Sequence, residues 1–193
     1  NVRTGSATLK QAVNLYVDFR NFMIDAADSG SHDTTFISTI PATAKSSDVR
    51  SELLLLFDSF IFDPILHKDV SKLQQDLLDH LAANTLDFDW DTEVQPRKEF
   101  RDRIDIYGAS RSSNLKVVIE LDAHRADQVA KKFISRTALF LEENIIYVSL
   151  CYPGTDRMNK LECEKYFNYC SNISNQLSKC SGKDQVYIGY FLN

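Results

Sequence analysis

Three acids lie in segments that otherwise read as buried strand. In Lys116-Val117-Val118-Ile119-Glu120-Leu121-Asp122, the apolar residues Val117, Ile119 and Leu121 share one face of an extended chain. Val118, Glu120 and Asp122 share the other, with the two acids about 6.6 Å apart at the backbone. In Arg103-Ile104-Asp105-Ile106-Tyr107, Ile104 and Ile106 face one way and Asp105 the other. The polar turn between these runs, Ser110 to Asn114, suits a hairpin that brings Asp105 beside Glu120 and Asp122. Three carboxylates at one end of a sheet raise one another's pKa unless a cation offsets them. Mg²⁺, or Mn²⁺ in its place, takes hard oxygen ligands and keeps several waters. It could lower the pKa of a water and stabilise charge on a phosphoryl oxygen. The competing reading is that these acids face solvent on an edge strand. Against it, the run VVIELD is too apolar for an exposed edge.

The basic residues are placed unevenly. Between Arg97 and Arg136 stand ten of them, Arg97, Lys98, Arg101, Arg103, Arg111, Lys116, Arg125, Lys131, Lys132 and Arg136, against six acids, giving +4. The remaining 12 basic and 21 acidic residues give −9, which together make the formal charge of −5. Taken whole, that charge argues against a nucleic-acid binder; resolved along the chain, it leaves one basic stretch around the acids. Such a field attracts a phosphate backbone while the acids hold a metal, which is what metal-dependent cutting of a phosphodiester requires. Lys98, Arg101, Arg103, Arg125, Lys131 and Lys132 are the expected nucleic-acid contacts. For Lys131 and Lys132 a solvated helix face is the alternative.

The elements that must position these groups are legible in the periodicity. Residues 8–27 read as an amphipathic helix through Leu9, Val13, Tyr16 and Met23. Ser47 or Asp48 is expected to cap a second helix reaching about Phe60, before the break at Asp63-Pro64. A third is expected over Lys68–Ala83, with Leu73, Leu77 and Leu81 on one face. The period then becomes two: Leu86, Phe88 and Trp90 alternate with Asp87, Asp89 and Asp91 as far as about Val94. Strands follow at 103–107, ended by Gly108, and at 116–122. Then come a helix at about 126–143, a buried strand at 145–150, a helix at about 157–179 and a last strand at 185–192. This order is an α/β pattern. The division expected is a helical extension over 1–62, packed on an α/β core over 63–193. The extension could supply a dimer contact, a target-reading element or packing alone.

With 193 residues, the chain is long enough for a sizeable core. The longest apolar run, Leu53 to Phe57, is too short to span a bilayer. Cys151, Cys163, Cys170 and Cys180 lack zinc-knuckle or redox-pair spacing and read as ordinary reduced thiols. Residues 1–6 lack the apolar core of a signal peptide, so a cytoplasmic location is the default expectation.

The run EVQPRKEFRDRIDIYG followed by LKVVIELDAHRADQVAKKFISR resembles the core of the PD-(D/E)XK nuclease superfamily, over about residues 68–150. The resemblance implies a restriction endonuclease-like mixed sheet with flanking helices, ordered helix, three antiparallel strands, helix, strand. It implies a metal-dependent DNA endonuclease, a phosphodiester hydrolase using Mg²⁺ or Mn²⁺, and possessing the catalytic and metal-binding acids Asp105 and Glu120. Two residues beyond Glu120, where the family carries Lys, this chain has Asp122. That Lys orients the attacking water or stabilises developing negative charge. Some relatives end in an acid here, and in others the Lys has moved. Lys131, Lys132 and Lys98 are the candidate substitutes, and Asp122 the candidate third ligand. Family members also offer an acid from the first core helix, for which Asp69, Asp76 and Glu52 remain open. The alternative function is a nuclease fold that has lost catalysis and binds nucleic acid or a protein. His124 and Arg125 follow the third strand directly. His124 reads either as a group beside the metal or backbone, or as a cap or surface residue.

Overall fold

The computed structural model describes residues 46–98 and 102–193, all within the unit Pro41–Asn193. The expected helix over 8–27 lies outside the described residues. The first described helix, α1 (Ser46–Ser59), buries Val49, Leu53 and Phe57 at four-residue spacing. Helix α2 (Val70–Asn84) starts two residues later than the periodicity suggests, because Lys68 belongs to a short 3-10 turn at Leu66–Lys68. Asp69 caps α2 by accepting the Ser71 N–H at 3.0 Å. Leu73, Leu77 and Leu81 form its fully buried stripe, each contributing about 1.5–3 kcal/mol of burial.

Strands β1 (Phe88–Val94), β2 (Ile104–Ser110) and β3 (Leu115–Asp122) form an antiparallel meander. Helix α3 (Asp127–Thr137) then crosses to β4 (Asn144–Cys151), and α4 (Lys160–Ser181) crosses to β5 (Gln185–Phe191). The sheet runs in the order β1-β2-β3-β4-β5, with β3, β4 and β5 mutually parallel. The molecule is therefore a mixed α/β fold with a five-stranded mixed sheet and four described helices. A short turn joins the antiparallel neighbours β2 and β3, and helices join the parallel ones, as strand direction requires.

Side-chain alternation sorts the helices between the faces. Ile106, Val117, Ile119, Leu121, Ile146, Val148 and Leu150 form one core with α1 and α2. On the opposite face Phe133 of α3 meets the Tyr147 and Tyr187 rings edge-on, at 5.2 and 5.1 Å. Phe167 of α4 covers Gly189 so closely that a Cβ there would lie 2.2 Å from its ring. Among the described residues no helix is long and apolar enough to cross a membrane. All four cysteines are free thiols, three of them buried.

Several boundaries differ from the sequence reading, each for a local reason. Strand β2 passes through Gly108 instead of ending there, because the glycine leaves room for Trp90, whose ring would lie 2.7 Å from a Cβ. Leu86 is 89% exposed and precedes β1 instead of lying in it. Helix α3 stops at Thr137, well before Glu143. The chain there tightens into i→i−3 turns, Leu139 N–H to Arg136 O and Phe140 N–H to Thr137 O. Helix α4 begins at Lys160 because Asn159 caps it, and it ends at Gly182, whose φ of 65° suits glycine. The edge-strand reading of the acids is overturned: β3 is central, hydrogen-bonded to β2 on one side and β4 on the other.

Candidate functional site

At the far end of the β2–β3 pairing the two strands part. The last ladder pair on that side is Ile106 with Ile119. One residue on, Asp105 Oδ2 accepts the Leu121 N–H at 2.7 Å, so a side chain takes the place of a backbone acceptor. Asp105 thereby turns toward Glu120 and Asp122, which alternation puts on the same sheet face. Its own carbonyl accepts the Gln74 amide from α2, so both ends of this residue are held. The same amide reaches Glu93 Oε1 at 3.3 Å. Glu93 sits at φ 53°, a left-handed conformation that interrupts β1 opposite Asp105, between the pairs Thr92–Ile106 and Val94–Ile104.

Helix α3 crosses this face and supplies the countercharge. Lys132 Nζ stands 3.1 Å from Glu120 Oε2, 3.3 Å from Asp122 Oδ1 and 3.6 Å from Asp105 Oδ2, and it donates to Leu121 O at 2.9 Å. Four residues on, Arg136 donates from Nε to Glu120 Oε1 at 2.9 Å and pairs with Asp102 at 2.7 Å. Residues four apart on a helix share a face, so one side of α3 delivers both cations.

Burial decides the protonation of the cluster. Glu120 has a side chain only 1% exposed. Desolvation, reinforced by the Asp105 charge, pushes its carboxyl from an ordinary 4.5 up to about 7, against the pull of Lys132 and Arg136. Asp122 is raised too, chiefly by burial. For Lys132, burial alone would favour loss of the proton, but Glu120, Asp122 and Asp105 outweigh it and hold the amine charged. Both ends of the Lys132–Glu120 pair thus gain proton affinity. The lysine answers to three acids, whereas the glutamate is the most deeply buried of them. The lysine is held as an ammonium, and the glutamate keeps its proton to a higher pH than a free carboxyl does.

The sequence-derived candidates separate clearly. Asp105, Glu120 and Asp122 meet around one point, and Lys132 fills it. Lys131, one residue earlier, points away to Asp127 at 3.1 Å, and Arg125 forms a two-pronged pair with the same Asp127. Arg103 is exposed, 4.0 Å from Glu93, and Lys98 is exposed beyond β1. Arg101 lies outside the described residues. His124 is exposed, and its carbonyl accepts the Thr155 hydroxyl; Ala126 stands at the start of α3 in its place. None of the acids offered for the first core helix reaches the cluster. Asp69 caps α2, Asp76 pairs with Lys72 and His67, and Glu52 is exposed on α1. The α2 residue that does touch the site is Gln74, which has no charge to draw attention to it. Arg136 was legible only as part of the basic stretch, although its four-residue spacing from Lys132 was a usable signal.

The donors suit a hard cation: all are carboxylate oxygens, and Asp122 Oδ2 is buried with no partner. Among the described residues, however, no group of three or more His, Cys, Asp and Glu side chains is arranged to hold a metal ion as it stands. The ammonium takes that place. Set against known proteins, the chain matches no family model, no curated protein and no solved structure.

Proposed function

We propose that the protein is a metal-dependent DNA endonuclease with a restriction endonuclease-like core. The observation that carries this reading is the position of Lys132. The resemblance to PD-(D/E)XK nucleases leaves one gap, the amine missing from β3 where Asp122 stands. Helix α3 brings an amine to within 3.6 Å of all three carboxylates from a different element. The order helix, three antiparallel strands, helix, strand, found over α2 to β4, supports the same reading.

In this proposal Asp105, Glu120 and Asp122 would hold Mg²⁺ or Mn²⁺ once the Lys132 amine withdraws from the point where they meet. When bound, the ion supplies Lewis-acid stabilisation of the phosphoryl oxygens and makes water more acidic. The Lys132 amine, so displaced, would face the scissile phosphate and stabilise the negative charge that grows on its oxygens. Arg136 holds Glu120 in orientation from behind, and Leu121 N–H does the same for Asp105. The basic residues between Arg97 and Arg136 draw in the phosphate backbone.

The test is cleavage of supercoiled plasmid with Mg²⁺ or Mn²⁺, and its abolition by EDTA, by Asp105→Asn and by Lys132→Arg. Cutting that persists undiminished in Asp105→Asn sinks the assignment. One observation favours a second reading, a nuclease fold that binds without cutting: the ammonium already neutralises the acids, and no metal arrangement is preformed. Calorimetry separates the two. Heat of Mn²⁺ binding that disappears in Asp105→Asn supports the enzyme, and its absence at millimolar ion supports the binding module.

A further inference from the structure

Two residues along β2 from Asp105, on the same sheet face, stands Tyr107. Four residues back along β3 from Glu120 stands Lys116, also on that face. These offsets are roughly 7 and 13 Å along the strands. Between them lies a hollow of about 220 Å³ that also takes in Arg97, Leu139, Phe140 and Glu143. A dry cavity of about 150 Å³ holds one benzene ring, so this one suits a single heteroaromatic ring system and falls short of a drug-sized ligand.

Its chemistry is that of a stacking platform with cations at the rim. The Tyr107 and Phe140 rings lie nearly parallel, 23° apart in plane, with centroids at 6.5 Å. Phe140 is buried and Tyr107 half-buried, and both line the hollow. Lys116 Nζ sits 5.8 Å from the Phe140 centroid and pairs with Glu143. Arg97 is fixed by donation to Leu139 O at 3.1 Å. The hollow therefore has two cations against one acid.

We propose that this hollow receives an unpaired nucleobase of the DNA strand, stacked on Tyr107, with Arg97 and Lys116 on the flanking phosphates. The proposal rests on the nuclease reading for the identity of the ligand, and it adds a preference for single-stranded or locally opened DNA next to the cut. Stacking on an aromatic platform is indifferent to sequence, because every base has a π face.

The experiment measures fluorescence anisotropy of a 5′-labelled single-stranded oligonucleotide, in EDTA so that nothing is cut. The comparison strand is an abasic backbone of the same length, so the phosphate term is equal in both. The base-bearing strand is expected to bind roughly tenfold tighter. Tyr107→Ala is expected to remove most of that ratio, and Tyr107→Phe to keep it. Lys116→Met is expected to weaken both strands alike and to lower the salt slope by about one. Should Tyr107→Ala fail to fold, Tyr107→Leu fills the space without a π face and takes its place. Equal binding of the two strands by the unmutated protein overturns the proposal, as does a full ratio in Tyr107→Ala. Plasmid cutting that needs Asp105, without base discrimination, removes the base site and leaves the nuclease reading standing. Discrimination without cutting does the reverse, and absence of both removes both.

Discussion

Replacing Glu120 by glutamine is expected to stabilise the protein at neutral and alkaline pH while it disables the site. Glu120 is buried, touches two cations and faces Asp105. Its carboxyl rises from 4.5 to about 7 in the fold, so the folded state holds a proton there that the unfolded chain has released. Between these pH values the folded state binds more protons, and stability falls as pH rises. At about 1.4 kcal/mol per pH unit, ionising this residue costs about 3 kcal/mol above pH 7 and nothing below about pH 4.5. Glutamine is close in shape and carries no charge. Its oxygen can keep the Arg136 bond, but its amide then stands where Oε2 stood, 3.1 Å from Lys132 Nζ, with two donors facing one another. Glu120→Gln is therefore expected to fall slightly below the unmutated protein near pH 4.5 and to exceed it by about 1–3 kcal/mol at pH 8, the shift already being net of the Lys132 and Arg136 attractions and the allowance being for the two facing donors. That is roughly a 2–12 °C rise in midpoint for a chain of this size. The assay is urea unfolding of both proteins across pH 4.5–8.5, followed through Trp90. A glutamine variant less stable at pH 8 would show instead that the ion pairs with Lys132 and Arg136 outweigh the cost of burial. The stability gained by removing a functional charge is the usual trade at a working site.

Further outcomes follow from the same geometry. Lys132→Met leaves three carboxylates around an empty centre and is expected to cost about 3–5 kcal/mol at pH 7.5. Thermal melts repeated near pH 5, where Glu120 is protonated, should show a smaller loss. Gly108→Ala drives a methyl into Trp90 and is expected to cost about 1–3 kcal/mol in urea unfolding, with a shift in the emission of this single tryptophan. Titration with an aromatic disulfide reagent should find one fast thiol, Cys180, and three slow ones that react on unfolding, because Cys151, Cys163 and Cys170 are buried. Fast reaction of more than one would contradict that burial.

Much of the fold was legible because its signals are local. Period-two alternation in β3 put Glu120 and Asp122 on one face, and the turn before it implied the hairpin with β2. The leucine spacing in α2 marked its buried side. Boundaries were missed where a tertiary neighbour decided them: Trp90 lets β2 run through Gly108, and turns at residues 137–140 end α3 early. The same division holds at the site. Strand alternation put Glu120 and Asp122 on one face of β3 and set Asp105 opposite Ile104 and Ile106 on β2, since side-chain direction in a strand depends only on position along it; that Asp105 joins them depends on the pairing of β2 with β3 and on its bond to Leu121 N–H. Which cation meets them depends on how α3 is rotated over the sheet, and Lys131 and Lys132 differ there by about 100°. Only the crossing of the helix, set by Val129 and Phe133 in the core beneath it, turns Lys132 inward and leaves Lys131 on Asp127. The part of Gln74 was equally beyond the sequence, because a neutral amide earns its role from the backbone carbonyl it happens to face. Side-chain direction is a local property and is written in the chain; the meeting of two elements is not, and tertiary packing alone decides it.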